Sequence, residues 1–384
     1  MESKTRIFLT GATGVMGMAG LKELVKRPDI YHVTVLARDS KTNRRKLNPF
    51  EKMGVKVIWG DLLDEESVTS GIRDADIVLH VGGMVSPAAD FYPEKTLKVN
   101  IGSMEIIARA VKKREVENPD IEVKVVYIGS VSQYGSKLPP DHWGKVGDVQ
   151  IAAEMDAYAQ SKIKAEQVLR ESGIRKWVSI RQTAILHPGL LKNIGNPVIF
   201  HTPLLGVLEW ITTEDSGRLL ERVCRKEVPD SFWLKAYNAG GGESFRLTNL
   251  EFERKLLKAI GCPPPEKIFE TKWFASKNFH GIWFEDSDKL DEILHFRGKD
   301  TFDEALERLR KSVPAYYRLA KIVPSALIKR LMKKTASHPE LGPLSWIKNK
   351  DERRIAASWG SLNDYNGIPD WSDLKEPELR RATP

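Results

Sequence analysis

Tyr158 and Lys162 are four residues apart, which puts a phenol and an ammonium on one face if their segment is helical. That pairing suits proton transfer to or from the oxygen of a carbonyl or an alcohol. A free phenol with a pKa of ~10 does this poorly at neutrality. A neighbouring cation is expected to favour the ionised phenol and lower that value. Upstream, Ser130 follows the apolar run Val123–Ile128, so its hydroxyl should stand at the C-terminal edge of a sheet and hold a substrate oxygen. A second pair of the same spacing, Tyr317 and Lys321, lies in a basic stretch with no strand-borne serine before it, and reads as coincidence. Ser130, Tyr158 and Lys162 are the candidate catalytic set.

A second constellation points to a bound anion. Thr10-Gly11-Ala12-Thr13-Gly14-Val15-Met16-Gly17 follows the first apolar run and precedes a helical stretch. Glycines at 11, 14 and 17 permit a tight turn, close approach to a pyrophosphate and close helix–sheet packing, while the helix N-terminus offers free N–H groups. The dinucleotide should therefore lie on Gly11, Thr13, Gly14, Val15, Met16 and Gly17. At the end of the second strand, where an acid would select NAD, stands Ala37, followed by Arg38, Lys41, Arg44 and Arg45. A 2′-phosphate on Arg38 makes NADP the expected cofactor, with NAD less favoured. Asp39 is left as an alternative ribose ligand. Asp61 and Leu62 end the third strand, where an Asp can bond the adenine amino group.

The elements that must position these groups alternate along the first half. Arg6–Leu9, Val33–Ala37, Val55–Gly60, Ile77–Val81, Val123–Ile128 and Val178–Arg181 read as strands, several wholly apolar, as expected when both faces are covered. Ala19–Lys26, Glu66–Arg73, Gly102–Lys113 and Ala157–Ser172 read as the helices between them. Such alternation implies an α/β fold with a Rossmann doubly wound parallel sheet.

With these motifs in place, the sequence resembles the extended short-chain dehydrogenase/reductase, or NAD-dependent epimerase/dehydratase, family over about residues 5–295. The resemblance rests on the glycine loop, Asp61, Asn100 in Val99-Asn100-Ile101-Gly102-Ser103, and Ile128-Gly129-Ser130-Val131-Ser132-Gln133-Tyr134-Gly135. It rests further on Tyr158, Lys162 and Arg181 with His187-Pro188. It implies that Ser130, Tyr158 and Lys162 are catalytic, that Asn100 supports a proton relay, and that Lys162 also binds the nicotinamide ribose. His80-Val81-Gly82-Gly83 occupies the place of a loop passing the cofactor, which adds Val81 and Gly82 to its ligands. Ser132 is the runner-up serine, and His187 stands where a glycine is usual. The implied organisation is a cofactor domain over 1–188, a smaller interleaved substrate lobe over 189–297, and a helical C-terminal extension over 298–384.

On the substrate side, Trp273, Phe274, Phe279, Trp283 and Phe284 crowd into twelve residues and are expected to wall an apolar cavity, the alternative being a buried core. The resulting expectation is hydride transfer between NADP(H) and a ketone or alcohol of a mainly hydrophobic substrate. Ser132, His187, Trp273, Phe279 and Trp283 are its candidate contacts. The alternatives are an epimerase or dehydratase of an activated sugar, with Arg246 as the best-placed diphosphate ligand, and a cofactor-binding sensor without turnover.

The charge of +8 over 384 residues is concentrated, since residues 308–334 hold nine Lys or Arg and no acid. A nucleic-acid partner would need basic charge around the active cleft, so none is expected. The same stretch interleaves Leu319, Ile322, Val323, Leu327, Ile328 and Leu331, an amphipathic pattern expected to pack on the body or on a second subunit of a homodimer. Membrane association is the less favoured reading. No apolar run reaches the ~20 residues of a membrane span. Cys224 and Cys262 have no metal-ligand spacing, and a cytoplasmic setting with no bound metal is expected.

Overall fold

The computed structural model describes residues 3–312, 321–376 and 379, so Tyr317 of the second Tyr–Lys pair lies outside the described residues. The order β1 (Thr5–Thr10), α1 (Val15–Leu24), β2 (Tyr31–Ala37), α2 (Lys41–Glu51), β3 (Lys56–Trp59), α3 (Glu65–Ile72) and β4 (Ile77–His80) opens the chain. A short α4 (Ala88–Phe91) precedes the 25-residue α5 (Pro93–Glu117), then β5 (Lys124–Ser130), β6 (Trp143–Gly144), α6 (Ala157–Glu171) and β7 (Lys176–Gln182). Seven parallel strands form the main sheet in the order β10-β7-β5-β4-β1-β2-β3, where β10 is Lys235–Ala239. The order in which the chain adds strands reverses between β1 and β4, and the glycine turn after β1 opens there, at the switch point where α/β sheets bind ligands.

The apolar character of these strands follows from their cover. Ile7, Leu9, Val33, Val35, Leu79, Val126 and Ile180 fill the core on one face, and Phe8, Leu36, Val78, Val125 and Tyr127 that on the other. A buried polar lattice ties the far side together. Arg181 pairs with Glu166 at 2.7 Å and donates to the Tyr134 hydroxyl at 2.8 Å. Burial alone would raise Glu166, but hydrogen bonds from Arg181, Ser179 and Gln133, with the charge of Arg181, hold it down at about 2. Arg181, one of the residues carrying the family resemblance, is therefore a structural anchor.

The smaller lobe carries β8 (Ala184–Leu186) paired with β9 (Val207–Thr212), which leads into α7 (Thr213–Arg222). After β10, β11 (Arg246–Thr248) runs antiparallel to β9 and enters α8 (Asn249–Ile260) through a Thr248–Glu251 capping box. Then follow α9 (Pro265–Ile268), β12 (Trp283–Phe284) beside β6, and α10 (Asp288–Leu294).

Described parts of the segment after residue 297 pack on this lobe. In α11 (Phe302–Ser312), Phe302, Ala305, Leu306 and Leu309 are buried in the lobe core. In α12 (Ser325–Ala336) the apolar stripe is divided, with Met332 and Ala336 buried and Ile328 packed against the core, while Leu327 and Leu331 are exposed, as is Ile322 ahead of the helix. Further on lie α13 (Pro343–Lys348), α14 (Glu352–Trp359) and α15 (Leu362–Asn366). The indole N–H of Trp359 donates to the Phe274 carbonyl and that of Trp371 to the Phe269 carbonyl, both at 3.0 Å. Among the described residues, no helix is long and apolar enough to cross a membrane.

Candidate active site

The turn after β1 is set by backbone proximity. Gly11 has φ +76°, and a Cβ there would come within 2.6 Å of the Gly82 nitrogen; one on Gly17 would strike the Gly11 carbonyl. The two loops are joined by the Gly82 N–H donating to the Thr10 hydroxyl at 3.0 Å. His80, flanked by the Thr10 hydroxyl at 2.9 Å and the Ser103 hydroxyl at 3.2 Å, is held down at about 3 by burial and by Lys162, and so is neutral. The first turn of α1 has no side-chain cap and no acid, and its residues Val15, Met16 and Gly17 line a cleft of about 1120 Å³. A glycine cradle beside an uncapped helix start fits a dinucleotide pyrophosphate.

That cleft is lined by Gly11, Thr13, Gly14, Val15, Met16, Gly17, Arg38, Asp61, Leu62, Val81 and Gly82, all of them expected cofactor ligands. Ser130, Tyr158, Lys162, His187 and Phe279 line it too. Arg38 stands in the cleft, whereas Asp39 forms an ion pair with Arg44 at 2.6 Å and is not among its lining residues. Asn43, Gln182, Thr183 and Trp210 also line it and were not anticipated, since none belongs to a local motif.

The reacting groups come from β5 and α6. Asp156 caps α6, accepting from the Ala159 N–H at 2.8 Å, and thereby fixes the turn that presents Tyr158. Burial pushes the Tyr158 phenol up to about 12, a hydrogen bond with Ser130 draws it down, and the Asp156 charge adds to the rise. Burial lowers Lys162 to about 8. Its ammonium donates to the Ile128 carbonyl at 2.7 Å and stands over two phenol rings, 5.0 Å from the centroid of Tyr127 and 5.8 Å from that of Tyr158. The expected net lowering of the phenol is not found, because burial outweighs the groups that draw it down, and Lys162 is not among the charges that shift it.

Four expected site residues lie elsewhere. Asn100 accepts from the Met84 N–H at 2.7 Å and donates to the Met84 carbonyl and the Ser161 hydroxyl, clamping the loop after β4 onto α6. It is a positioning residue here, outside the cleft lining. Ser132 is fully buried, with its hydroxyl unpartnered, while its N–H donates to Ser130 at 3.1 Å. Trp273 is packed in the lobe core against Phe200 and Phe269. Trp283 is buried against His142 and Trp143 in the β6–β12 pair. Of the five clustered aromatics only Phe279 faces the cleft.

A mainly apolar cavity is present, built from Phe279 and otherwise from residues outside the aromatic cluster. A cavity of about 440 Å³ adjoins the cleft and shares Ala184, Leu190, Leu208, Trp210, Phe279 and His280 with it. Its walls are mainly apolar, with Phe252 stacked on Trp210 at 4.1 Å, and Phe269 and Trp346. Arg246 is absent from both linings. Its guanidinium pairs with the fully buried Glu209 at 3.0 Å and donates to the Phe284 carbonyl.

Comparison with known proteins bears on the family and the fold. The model of the NAD-dependent epimerase/dehydratase family matches residues 7–182. This stretch is an epimerase/dehydratase family domain. A nonribosomal peptide synthetase of Aspergillus flavus is 29% identical over 191 residues, 44% of this chain and 18% of that protein. A UDP-N-acetylglucosamine 4,6-dehydratase (inverting) of Campylobacter jejuni is 28% identical over 109 residues, 28% of this chain and 33% of that protein. The matched stretches thus span a third or less of these relatives. The crystal structure of dTDP-glucose 4,6-dehydratase from Bacillus anthracis in complex with NAD matches with a TM-score of 0.63 at 15% identity, covering 80% of this chain and 96% of that one. At that identity the likeness shows the fold, a Rossmann-type α/β sheet.

Proposed function

We propose that this epimerase/dehydratase domain, with its substrate lobe, interconverts a secondary alcohol and a ketone within its substrate, using a bound pyridine nucleotide. The observation that carries this is the placement of Ser130, Tyr158 and Lys162 on the wall of the same cleft as the glycine loop. A bound nicotinamide supplies the hydride acceptor or donor. Ser130 holds the substrate oxygen by a hydrogen bond, and Tyr158 moves the proton at its phenolic oxygen. With its phenol pushed up to about 12, Tyr158 rests protonated and is ready to donate to a carbonyl. In the oxidising direction the phenolate must form, which the Ser130 hydrogen bond favours and burial opposes. Lys162 is placed to bind the nicotinamide ribose. NADP is the favoured cofactor, supported by Arg38 in the cleft and by Asp39 turned to Arg44, although the solved neighbour holds NAD.

For the substrate, the relatives favour an activated sugar over the free hydrophobic ketone that the sequence suggests, since the named dehydratases take UDP- or dTDP-linked sugars. On that reading the diphosphate contacts fall to Lys277 and Arg354, which line the cavity, because Arg246 is engaged with Glu209. A second reading, reduction of an apolar ketone, is favoured by the aromatic walls of the cavity. Stoichiometry of the free cofactor decides between them. Sugar conversion with UDP-glucose or UDP-N-acetylglucosamine and no net change in nicotinamide absorbance supports the first. Stoichiometric NADPH oxidation with a steroid, aromatic or aliphatic ketone supports the second. Cofactor binding without turnover on any of these would leave a sensor and overturn both.

A further inference from the structure

The cavity beside the cofactor cleft contains one ionisable group, Glu253, that no side chain among the described residues answers. Residues Asn249, Phe252, Glu253 and Leu256 recur at i, i+3, i+4 and i+7 along α8, so a single helical face lines the cavity. Glu253 is only 8% exposed, and its carboxyl makes no hydrogen bond or ion pair with any described residue. Buried carboxyls without partners are rare, because burial without a compensating hydrogen bond is costly. A group kept at such cost and facing a cavity is placed for a ligand.

We propose that Glu253 is the distal recognition group of the substrate cavity, its carboxyl taking a neutral hydroxyl or carbonyl that the substrate bears remote from the carbon exchanging hydride. This rests on the reading that the cavity receives the substrate. Three observations support a neutral partner. Burial alone raises Glu253 to about 7, so the un-ionised acid, both donor and acceptor, is well populated at neutral pH. Among the cavity's ionisable residues, Asp90, Glu154 and Lys277 are exposed and Asp156, His201, His280 and Arg354 are part-exposed; Glu253 alone is buried. Asp156 is already paired with His280, His201 bonds the Leu341 carbonyl, and Arg354 lies over the Trp346 ring. The charged ends of a substrate would thus sit toward the solvent side, and a neutral polar group against α8.

The test uses matched probes and no turnover: biphenyl-4-ylmethanol, 4-methylbiphenyl and biphenyl-4-ylmethylamine, titrated by quenching of tryptophan fluorescence, since Trp210 and Trp346 line the cavity. At about pH 6 the full-length protein should bind the alcohol about tenfold more tightly than the methyl compound, the size of one buried hydrogen bond. That advantage should shrink toward pH 9 as Glu253 ionises. Glu253→Gln should keep it at every pH, and Glu253→Leu should reduce it to within about twofold. Equal binding of alcohol and methyl compound by the wild type would overturn the proposal, as would an advantage that survives in Glu253→Leu. Tightest binding of the amine, lost in Glu253→Gln, would make the site a cation site and overturn it as well. Because the probes report binding without turnover, a failure of the hydride-transfer reading is seen separately, in the turnover rate of Tyr158→Phe.

Discussion

His280 of the substrate lobe meets Asp156 of the cofactor domain at 2.7 Å, and Asp156 is the residue that caps the helix bearing Tyr158. The ring of His280 also stacks on Phe279 with 4.6 Å between centroids, and both residues line the cavity and the cleft. One pair therefore latches the lobe to the first turn of the catalytic helix.

The latch should be pH-dependent. Burial alone would lower His280, but the charge of Asp156 and their hydrogen bond raise it above its ordinary value. A raised histidine contributes stability that is complete below its unfolded value of ~6.5 and is lost as pH rises through the folded value. His280→Gln should cost roughly 1–2 kcal/mol near pH 6, less than a fully buried pair would, because both side chains keep some exposure. Thermal melts across pH should show the gap between wild type and variant closing toward pH 9. A gap independent of pH would mean that the pair is not charged.

Glu253 should behave in the opposite way to an ordinary surface glutamate. Its folded value is raised to about 7 from 4.5, so the folded state holds its proton longer than the unfolded one. Stability is then complete below about pH 4.5 and is lost as pH rises through about 7. Glu253→Leu should gain on the wild type over that window, by an amount read from paired denaturation curves. Parallel curves would show that the carboxyl is not held neutral.

Arg38→Ala should weaken NADPH by about tenfold or more while changing NADH little, since a charge-assisted contact contributes ~1.5–3 kcal/mol. Cofactor fluorescence titrations check this. Equal loss for both cofactors, or a wild-type preference for NADH, would transfer the selectivity to another residue.

Arg246 and Lys277 separate structural from substrate-binding cations. Removing Arg246 takes the nearest cation from the fully buried Glu209, leaving it Arg297 at 3.9 Å and hydrogen bonds from the Gly242 and Phe284 N–H groups and the Ser287 hydroxyl. Arg246→Met should therefore cost about 1.5–3 kcal/mol of stability, the size of a hydrogen bond to a charged group. Lys277→Ala should leave stability nearly unchanged and weaken UDP-glucose if an activated sugar is bound. Loss of UDP affinity in a stable Arg246→Met protein would contradict the geometry.

The sequence is most legible where function imposes local spacing. The glycine loop, Asp61, Ser130, Tyr158 and Lys162 are each fixed by a turn, a strand end or a helical repeat, and all of them reach one cleft. The aromatic cluster misleads because crowding in sequence does not say which face is buried: Trp273 and Trp283 go into packing, while Trp210, Phe252, Phe269 and Trp346 come from distant segments to line the cavity. The tail misleads for a related reason, since its charge pattern hides that Phe302, Leu306 and Leu309 belong to the lobe core. The effect of Lys162 on Tyr158 depends on where the ammonium points, and helical spacing leaves the Ile128 carbonyl out of view. Glu253 carries no motif, and its meaning arises only from burial without a partner.

The central claim is that Tyr158 carries the proton that accompanies hydride transfer, and single-turnover measurement of Tyr158→Phe tests it most directly. Cofactor affinity should stay within about twofold of wild type, because the glycine loop, Arg38 and Lys162 are untouched. The rate of nicotinamide oxidation or reduction on a substrate turned over by the wild type should fall by a hundredfold or more, in the range lost with a general acid or base. A variant retaining more than about a tenth of the wild-type rate, within ~1.4 kcal/mol of its barrier, would contradict the account.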